Sequence, residues 1–289
     1  MADSREAVRQ FYAEELLAVC NLQSAALVRA LATVPRERFL GPGPWRIRGM
    51  DGMFMPGATG SYRETADADP RHIYHNVLVS IDPVRELNNG HPGTLASWID
   101  MLRIRDGERI VHVGAGPGYY TAILAEVTGL RGFVTAIEID EALAARATTA
   151  LSEWPNVRVV AGDGVAEPLD RADVIMVNAG VTHPAPRWLD ALNPGGRLLL
   201  PLTFEPVPGV AGKGAVVLIT RDGDAFSSRV VSMVQVYSCV GGRDPQLNAS
   251  LMKTFSRGGW EKVRSLRRDP HEAGDRCWFH APSFCLTAE

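Results

Sequence analysis

Cysteine is scarce in this chain. Four thiols, Cys20, Cys239, Cys277 and Cys285, are scattered among 289 residues, and their spacing matches neither a disulfide-rich scaffold nor a zinc motif. They read as reduced thiols of a cytoplasmic protein, and no metal is expected. No long apolar run occurs. The first twenty residues carry Asp3, Arg5, Glu6, Arg9, Glu14 and Glu15, which excludes a signal peptide or membrane span there. Charge of one sign is also missing: the net charge is −3, with 22% of residues charged and 46% hydrophobic. That balance gives no reason to expect a nucleic-acid or membrane partner. Internal repeats and low-complexity segments are absent.

What is present centres on Arg109 to Ala125. Ile110-Val111-His112-Val113 reads as a buried strand, Gly114-Ala115-Gly116-Pro117-Gly118 as a tight turn, and Tyr119 to Glu126 as a helix. Strand, glycine-rich turn and helix make the first half of a Rossmann-type unit, whose helix N-terminus can face an anionic group. The spacing is GxGxG, and Pro117 removes one N–H that a pyrophosphate would want. A ligand bearing a carboxylate and an amine, such as the methionine part of S-adenosylmethionine, suits the turn better than a dinucleotide. A second strand, Gly132 to Ile139, places Glu138 about 20 residues after Gly118, where a ribose-binding acid is expected. A third, Val157 to Val160, runs into Ala161-Gly162-Asp163-Gly164. Three strand ends in register outweigh the alternative of surface loops and stray charges.

In chain order, Arg5 to Cys20 and Ser24 to Ala32 show helical spacing, the second ending at Val34-Pro35. Gly41-Pro42-Gly43-Pro44-Trp45 reads as a rigid turn. Arg46 to His72 is long and irregular, with Met50, Met53, Phe54 and Met55, and reads as a lid. Ile73 to Ile81 reads as a strand, Asp82 to Gly93 as a loop and Thr94 to Leu102 as a helix. After the Rossmann-type core come strands at Ala172 to Val177 and Arg197 to Leu202, separated by a short helix and an Asn193-to-Gly196 turn. The runs Ala215 to Thr220 and Ser228 to Tyr237 flank Arg221-Asp222-Gly223-Asp224, which is hairpin chemistry. The expected class is α/β, a mostly parallel Rossmann-like sheet with an antiparallel edge strand, an N-terminal helical cap and a C-terminal extension. The expected division is 1–93, cap and lid; 94–240, cofactor-binding domain; 241–289, extension with one helix and a basic, solvated stretch at Arg264 to Arg268.

This order of motifs resembles the protein-L-isoaspartate O-methyltransferases, a branch of the S-adenosylmethionine-dependent class I methyltransferases. The resemblance is carried by Val34-Pro35-Arg36 with Phe39, the glycine loop with Tyr119 and Thr121, and Ile137-Glu138. Gly162-Asp163-Gly164, Asn178-Ala179-Gly180 and Gly195-Gly196-Arg197-Leu198 with Pro201 complete it. It implies that Gly114, Gly116, Gly118 and Tyr119 hold the methionine part and that Glu138, beside Ile139, binds the ribose hydroxyls. Asp163 and Gly164 would meet the adenine, and Asn178 the sulfonium end. One departure stands out. The family's Ser-Gln-Pro is here Gly90-His91-Pro92, so the serine beside its methyl acceptor is missing.

Candidates on the acceptor side are His91, Tyr74, Tyr12 and Glu15 for proton transfer, and Asn88, Asn89, Trp45 and Phe54 for substrate binding. Each has a plain alternative: a loop histidine bonded to backbone, turn-forming asparagines, packed aromatics, a solvated glutamate. The altered motif and the lid composition lead to the expectation of a specialised small-molecule or short-peptide substrate, with an indole-containing cyclic dipeptide of natural-product type as one example. Isoaspartyl repair and non-catalytic cofactor binding are the alternatives, and restoring serine at Gly90 would separate the first two. Monomer and homodimer both remain open.

Overall fold

The computed structural model describes residues 2–49, 62–85 and 87–288. They form two compact units, one of Met1–Gly107, Ala115–Phe133 and Ala142–Arg158, the other of Glu108–Gly114, Val134–Glu141 and Val159–Glu289. Among the described residues no helix is long and apolar enough to cross a membrane.

The first unit opens with α1 (Ala2–Cys20) and α2 (Ala25–Thr33), which pack on each other. Tyr12, Ala13 and Leu16 give α1 its buried stripe, and Leu27, Ala30 and Leu31 give α2 its own. Ser24 caps α2 by accepting the Leu27 N–H at 3.2 Å. After the short α3 (Glu37–Leu40) come β1 (Arg46–Arg48), β2 (Arg63–Glu64), β3 (Leu78–Asp82) and β4 (Leu87–Asn88). They make a small antiparallel sheet in the order β2-β1-β3-β4. The strand expected from Ile73 begins only at Leu78, after a 3-10 turn at Pro70–Ile73. The cause is local. Asp69 caps that turn, and the carbonyls of Ile73, His75 and Val77 accept from the Arg36 guanidinium instead of joining a ladder. Helices α4 (Pro92–Met101), α5 (Tyr119–Thr128) and nearly all of α6 (Glu141–Ala150) belong to this unit.

The second unit is a ten-stranded sheet. Its strands are β5 (Arg109–Val113), β6 (Phe133–Glu138), β7 (Val157–Ala161), β8 (Ala172–Val177), β9 (Leu192–Phe204), β10 (Gly212–Asp222), β11 (Ala225–Val236), β12 (Val263–Arg267), β13 (Cys277–Ala281) and β14 (Phe284–Ala288). The order is β13-β14-β12-β11-β10-β9-β8-β5-β6-β7. β5 pairs parallel with β8, and β8 with β9; from β9 outward every pairing is antiparallel. The chain therefore reverses its direction of travel across the sheet between β5 and β8, the kind of switch point at which open α/β sheets take their ligands. Val174, Ile175, Met176 and Val177 are all fully buried, as a doubly covered strand requires. Two helices, α7 (Pro186–Ala191) and α8 (Pro245–Ser256), complete the unit.

The α/β class is as expected, and the Asp222↔Ala225 pair closes the expected hairpin. The antiparallel edge is larger than the single strand anticipated, because the C-terminal stretch supplies three more strands to the same sheet. The basic residues Arg264, Arg267 and Arg268 do face solvent, two of them within β12. The Asn193-to-Gly196 turn is instead an irregularity inside β9, where Leu192 pairs with Ala172 before the register shifts. Asn193 holds it by donating to Asp173 Oδ1 at 2.8 Å.

Candidate active site

In the second unit four strand ends lie side by side. Gly114 N–H donates to Ile137 C=O at 2.9 Å, Asn178 N–H to Val113 C=O at 2.8 Å, and Gly162 N–H to Glu138 C=O at 2.9 Å. These bonds align the carboxyl ends of β8, β5, β6 and β7, and with them Asn178, Gly114, Glu138 and Asp163. Glu138 is 7% exposed and accepts the Asp140 N–H at 3.0 Å. Ile139, next in the chain, is exposed. Asp163 accepts the Val165 N–H at 2.8 Å, and Trp188 donates its indole N–H to Gly164 C=O at 2.8 Å. A Cβ on Gly164 would sit 2.4 Å from Val113 Cγ1, so the β7 loop approaches β5 as only glycine permits.

Two participants were not foreseen. Gly241 packs so closely that a Cβ there would meet the Asp163 carboxylate at 2.5 Å. Cys239 is buried, and its thiol is pushed up to about 11 by burial and then by the negative charges of Asp163 and Glu138. Both residues follow β11, and nothing in their local sequence marks them. They show that the two carboxylates share one electronegative corner.

The glycine turn continues directly from β5 into α5. Gly114, Gly116 and Gly118 have φ of +75°, +56° and +98°. Gly118 is the residue before α5, and a Cβ there would lie 2.8 Å from Leu151 Cδ1. A Cβ at Gly116 would meet nothing within 4 Å beyond its chain neighbours, so there is room beside the turn. In the second unit, two acids on neighbouring strand ends are of the type that accepts from the hydroxyl and amino groups of S-adenosylmethionine, and a turn leading into a helix N-terminus is of the type that donates N–H groups to its carboxylate. Tyr119, the first residue of α5, is fully buried. It points its ring at Phe39 (centroids 5.8 Å apart) and Tyr120 (5.0 Å), so only its backbone belongs with the turn.

The acceptor-side candidates lie in the first unit, and the structure gathers several of them around Arg36. This arginine is fully buried, with its charge centre 5.8 Å from the Tyr12 and Tyr119 ring centres. Tyr74 receives the Arg36 N–H at 2.9 Å and donates its hydroxyl to the Glu37 carboxylate. Its phenol is raised by burial and then by that bond. Tyr74 is thus committed to holding Arg36 and Glu37, and its proton is not available for transfer. Tyr12 is also raised, chiefly by burial. Glu15 is half-buried, with its Oε2 enclosed and unpartnered.

His91 stands immediately before α4, half-buried, with Nε2 enclosed and unpartnered. Burial, then the Arg36 charge, lower its pKa, so the ring is neutral at pH 7. Asn88 forms the turn, accepting the Gly90 N–H at 2.9 Å. Asn89 is buried with its Nδ2 unpartnered. Asn76, which carried no sequence signal, braces the same loop by accepting the Gly93 N–H at 2.7 Å. Trp45 is a core residue, 5% exposed, with its indole N–H donated to Gly41 C=O at 3.0 Å. Phe54 lies outside the described residues.

Comparison with known proteins decides among the readings. The family model of protein-L-isoaspartate(D-aspartate) O-methyltransferase (PCMT) matches residues 67–232. Protein-L-isoaspartate O-methyltransferase 1 of Archaeoglobus fulgidus is 32% identical over 145 residues, covering 46% of this chain and 67% of the relative. Its namesake from Rhodopseudomonas palustris strain HaA2 is 31% identical over 205 residues, covering 70% and 71%. A solved protein-L-isoaspartate O-methyltransferase superposes with a TM-score of 0.61 at 16% identity, over 96% of this chain and 88% of its own. A Plasmodium falciparum structure, presented as such an enzyme and crystallised with S-adenosyl-L-homocysteine, gives 0.59 at 15% identity, over 80% and 97%. The matches overturn the expectation of a specialised small-molecule or cyclic-dipeptide methyltransferase. The matched span includes the Gly90-His91 loop and strands β5 to β8, and the relatives carry the isoaspartate name despite the missing serine here. The non-catalytic alternative falls with it. The chain belongs to the protein-L-isoaspartate(D-aspartate) O-methyltransferase family, and it is an S-adenosylmethionine-dependent methyltransferase.

Proposed function

We propose that this enzyme esterifies the free α-carboxylate of L-isoaspartyl residues in peptides or proteins. The family match over 67–232 carries the reading, and the state of the first unit's polar groups supports it. A phenol, indole or amine acceptor needs a base, whereas a carboxylate is already ionised at pH 7 and needs none. Tyr12 and Tyr74 are held protonated and Tyr74 is engaged, which suits an acceptor that brings its own negative charge.

S-adenosylmethionine supplies an electrophilic methyl carbon. In this proposal the turn at Gly114, Gly116 and Gly118, with the backbone of Tyr119, binds its methionine end. Glu138 takes the ribose hydroxyls, and the exposed Ile139 side chain lies against the adenine. Asp163, with Gly164 beside it, binds the adenine amino group, and Asn178 faces the sulfonium. His91 and Asn89 orient the acceptor, while Tyr12, Tyr74 and Glu15 support the loop and Arg36 from within. The contribution of the chain is alignment for an in-line displacement, an effect worth on the order of 7–11 kcal/mol at its limit. Free thiols and near-balanced charge suit action in the cytoplasm.

The test is transfer from methyl-labelled S-adenosylmethionine to a peptide with one L-isoaspartyl residue and to its ordinary aspartyl twin. Label on the first, released as methanol by mild alkali, is expected. Absence of label from both peptides contradicts the proposal.

A further inference from the structure

The two C-terminal cysteines are far apart from any zinc motif in sequence, yet the fold does not keep them apart. His271, Cys277, His280 and Cys285 each place one ligand atom within 4.8 Å of the other three. The register of the edge hairpin is responsible. His280 and Cys285 are directly paired across β13 and β14, so their side chains share a face. Cys277 is three residues before His280 and in a regular strand would point to the opposite face. A bulge intervenes: Cys277 pairs with Thr287 and Phe279 with Leu286, leaving one extra residue in β13. The bulge lets Trp278 and Phe279 both bury themselves and turns Cys277 to the side of His280.

The other details are those of a ligand set. His271 Nδ1 lies 2.8 Å from Asp269 C=O. A carbonyl can only accept, so the proton is on Nδ1 and the lone pair on Nε2, which is 3.6 Å from Cys277 Sγ. Fixing a histidine tautomer through the far nitrogen is the usual support of a metal ligand. Gly274 N–H points at Cys277 Sγ from 3.5 Å, a donor suited to a thiolate. His280 Nδ1 is buried without a hydrogen-bond partner. Tetrahedral zinc with two sulfur and two nitrogen ligands has ligand-to-ligand edges of about 3.3–3.8 Å, so the cluster needs only a small contraction.

We propose that His271, Cys277, His280 and Cys285 bind one Zn²⁺ in a closed, structural site that clips the loop before β13 to the edge hairpin of the sheet. Two thiolates neutralise the ion, and the S₂N₂ set selects zinc over harder cations. Four protein ligands leave no open position, so the site has no part in methyl transfer.

The test uses full-length protein purified under reducing conditions from zinc-supplemented cells. About one zinc per chain is expected by elemental analysis, falling below roughly a tenth in Cys277→Ser and Cys285→Ser. Cobalt(II) replacing zinc should give the sulfur-to-metal charge-transfer and intense visible bands of a tetrahedral thiolate site. His271→Cys should keep the metal and give a tetrahedral cobalt spectrum with stronger sulfur-to-metal charge transfer, since a Cys₃His set is equally competent, which separates ligand loss from misfolding. Reduced wild-type protein that holds no zinc and gives no cobalt charge-transfer band overturns the proposal. So does a Cys277–Cys285 disulfide whose reduction restores no metal binding.

Discussion

Glu138 and Asp163 illustrate what a single side chain contributes here. Each is a carboxylate at a strand end, and their joint field is felt by the Cys239 thiol. Glu138→Gln keeps the shape and removes the charge. Hydrogen bonds to a charged group are worth about 1.5–3 kcal/mol, so the expected result is roughly a 10- to 100-fold rise in the Kd for S-adenosylhomocysteine by calorimetry, with little change in Tm. An unchanged Kd would remove Glu138 from the site. His112, within β5, gives a second prediction. Burial lowers its pKa to about 4, against about 6.5 in an unfolded chain. Between those values the unfolded state binds more protons, so stability falls as pH drops from 6.5 toward 4. The loss reaches about 3 kcal/mol for this residue. Urea unfolding at pH 7 and pH 4 should show it, and His112→Gln should flatten the dependence. An equally steep dependence in the variant would assign the loss to other groups. Residues of this kind divide by legibility. The place of Glu138 at a strand end was readable because it closes a short apolar run at a set distance from the glycine turn. Arg36 was not readable as a buried hub, because nothing local says that a charged residue after Val34-Pro35 will spend its donors on three carbonyls.

At the scale of elements, the β5-turn-α5 unit was the most legible part of the chain, since a short apolar run, closely spaced glycines and a helical pattern admit few other structures. The turn's positive φ values agree with that reading. The Gly90 loop teaches the opposite lesson. Replacing Gly90 by serine looked like a simple restoration of a family motif, but Gly90 has φ +76° and a Cβ there would meet Leu95 Cδ2 at 3.0 Å. Gly90→Ser is therefore expected to cost about 1–2 kcal/mol, read as a lower Tm, without raising activity on an isoaspartyl peptide. A variant of full stability and higher activity would show that the loop relaxes. The base of β5 is held differently. Arg197, on β9, makes a two-pronged contact with Glu108 at 2.9 and 2.7 Å, and both side chains are nearly buried. Glu108→Ala leaves the arginine unmatched and should destabilise by roughly 3–5 kcal/mol in denaturant titration. A loss below about 1 kcal/mol would mean that the pair behaves as a surface bridge. The C-terminal strands were illegible for a clear reason. β12, β13 and β14 are five residues each, and the bulge in β13 breaks the alternation by which strands are recognised.

The whole molecule combines the S-adenosylmethionine-dependent methyltransferase fold with an antiparallel sheet edge whose last hairpin, with the loop before it, holds the proposed zinc ligands. The loss of the family's serine does not change the chemistry assigned to the core, because a carboxylate acceptor asks for alignment rather than for a base. The most direct measurement is kcat/KM for three peptides identical except at one position: L-isoaspartyl, L-aspartyl, and isoaspartyl with its free carboxylate converted to the amide. The account predicts turnover of the first, with the methyl group located on the isoaspartyl carboxylate by fragmentation mass spectrometry, and none of the other two. Equal turnover of all three, or methylation at a nitrogen or ring carbon, would contradict it.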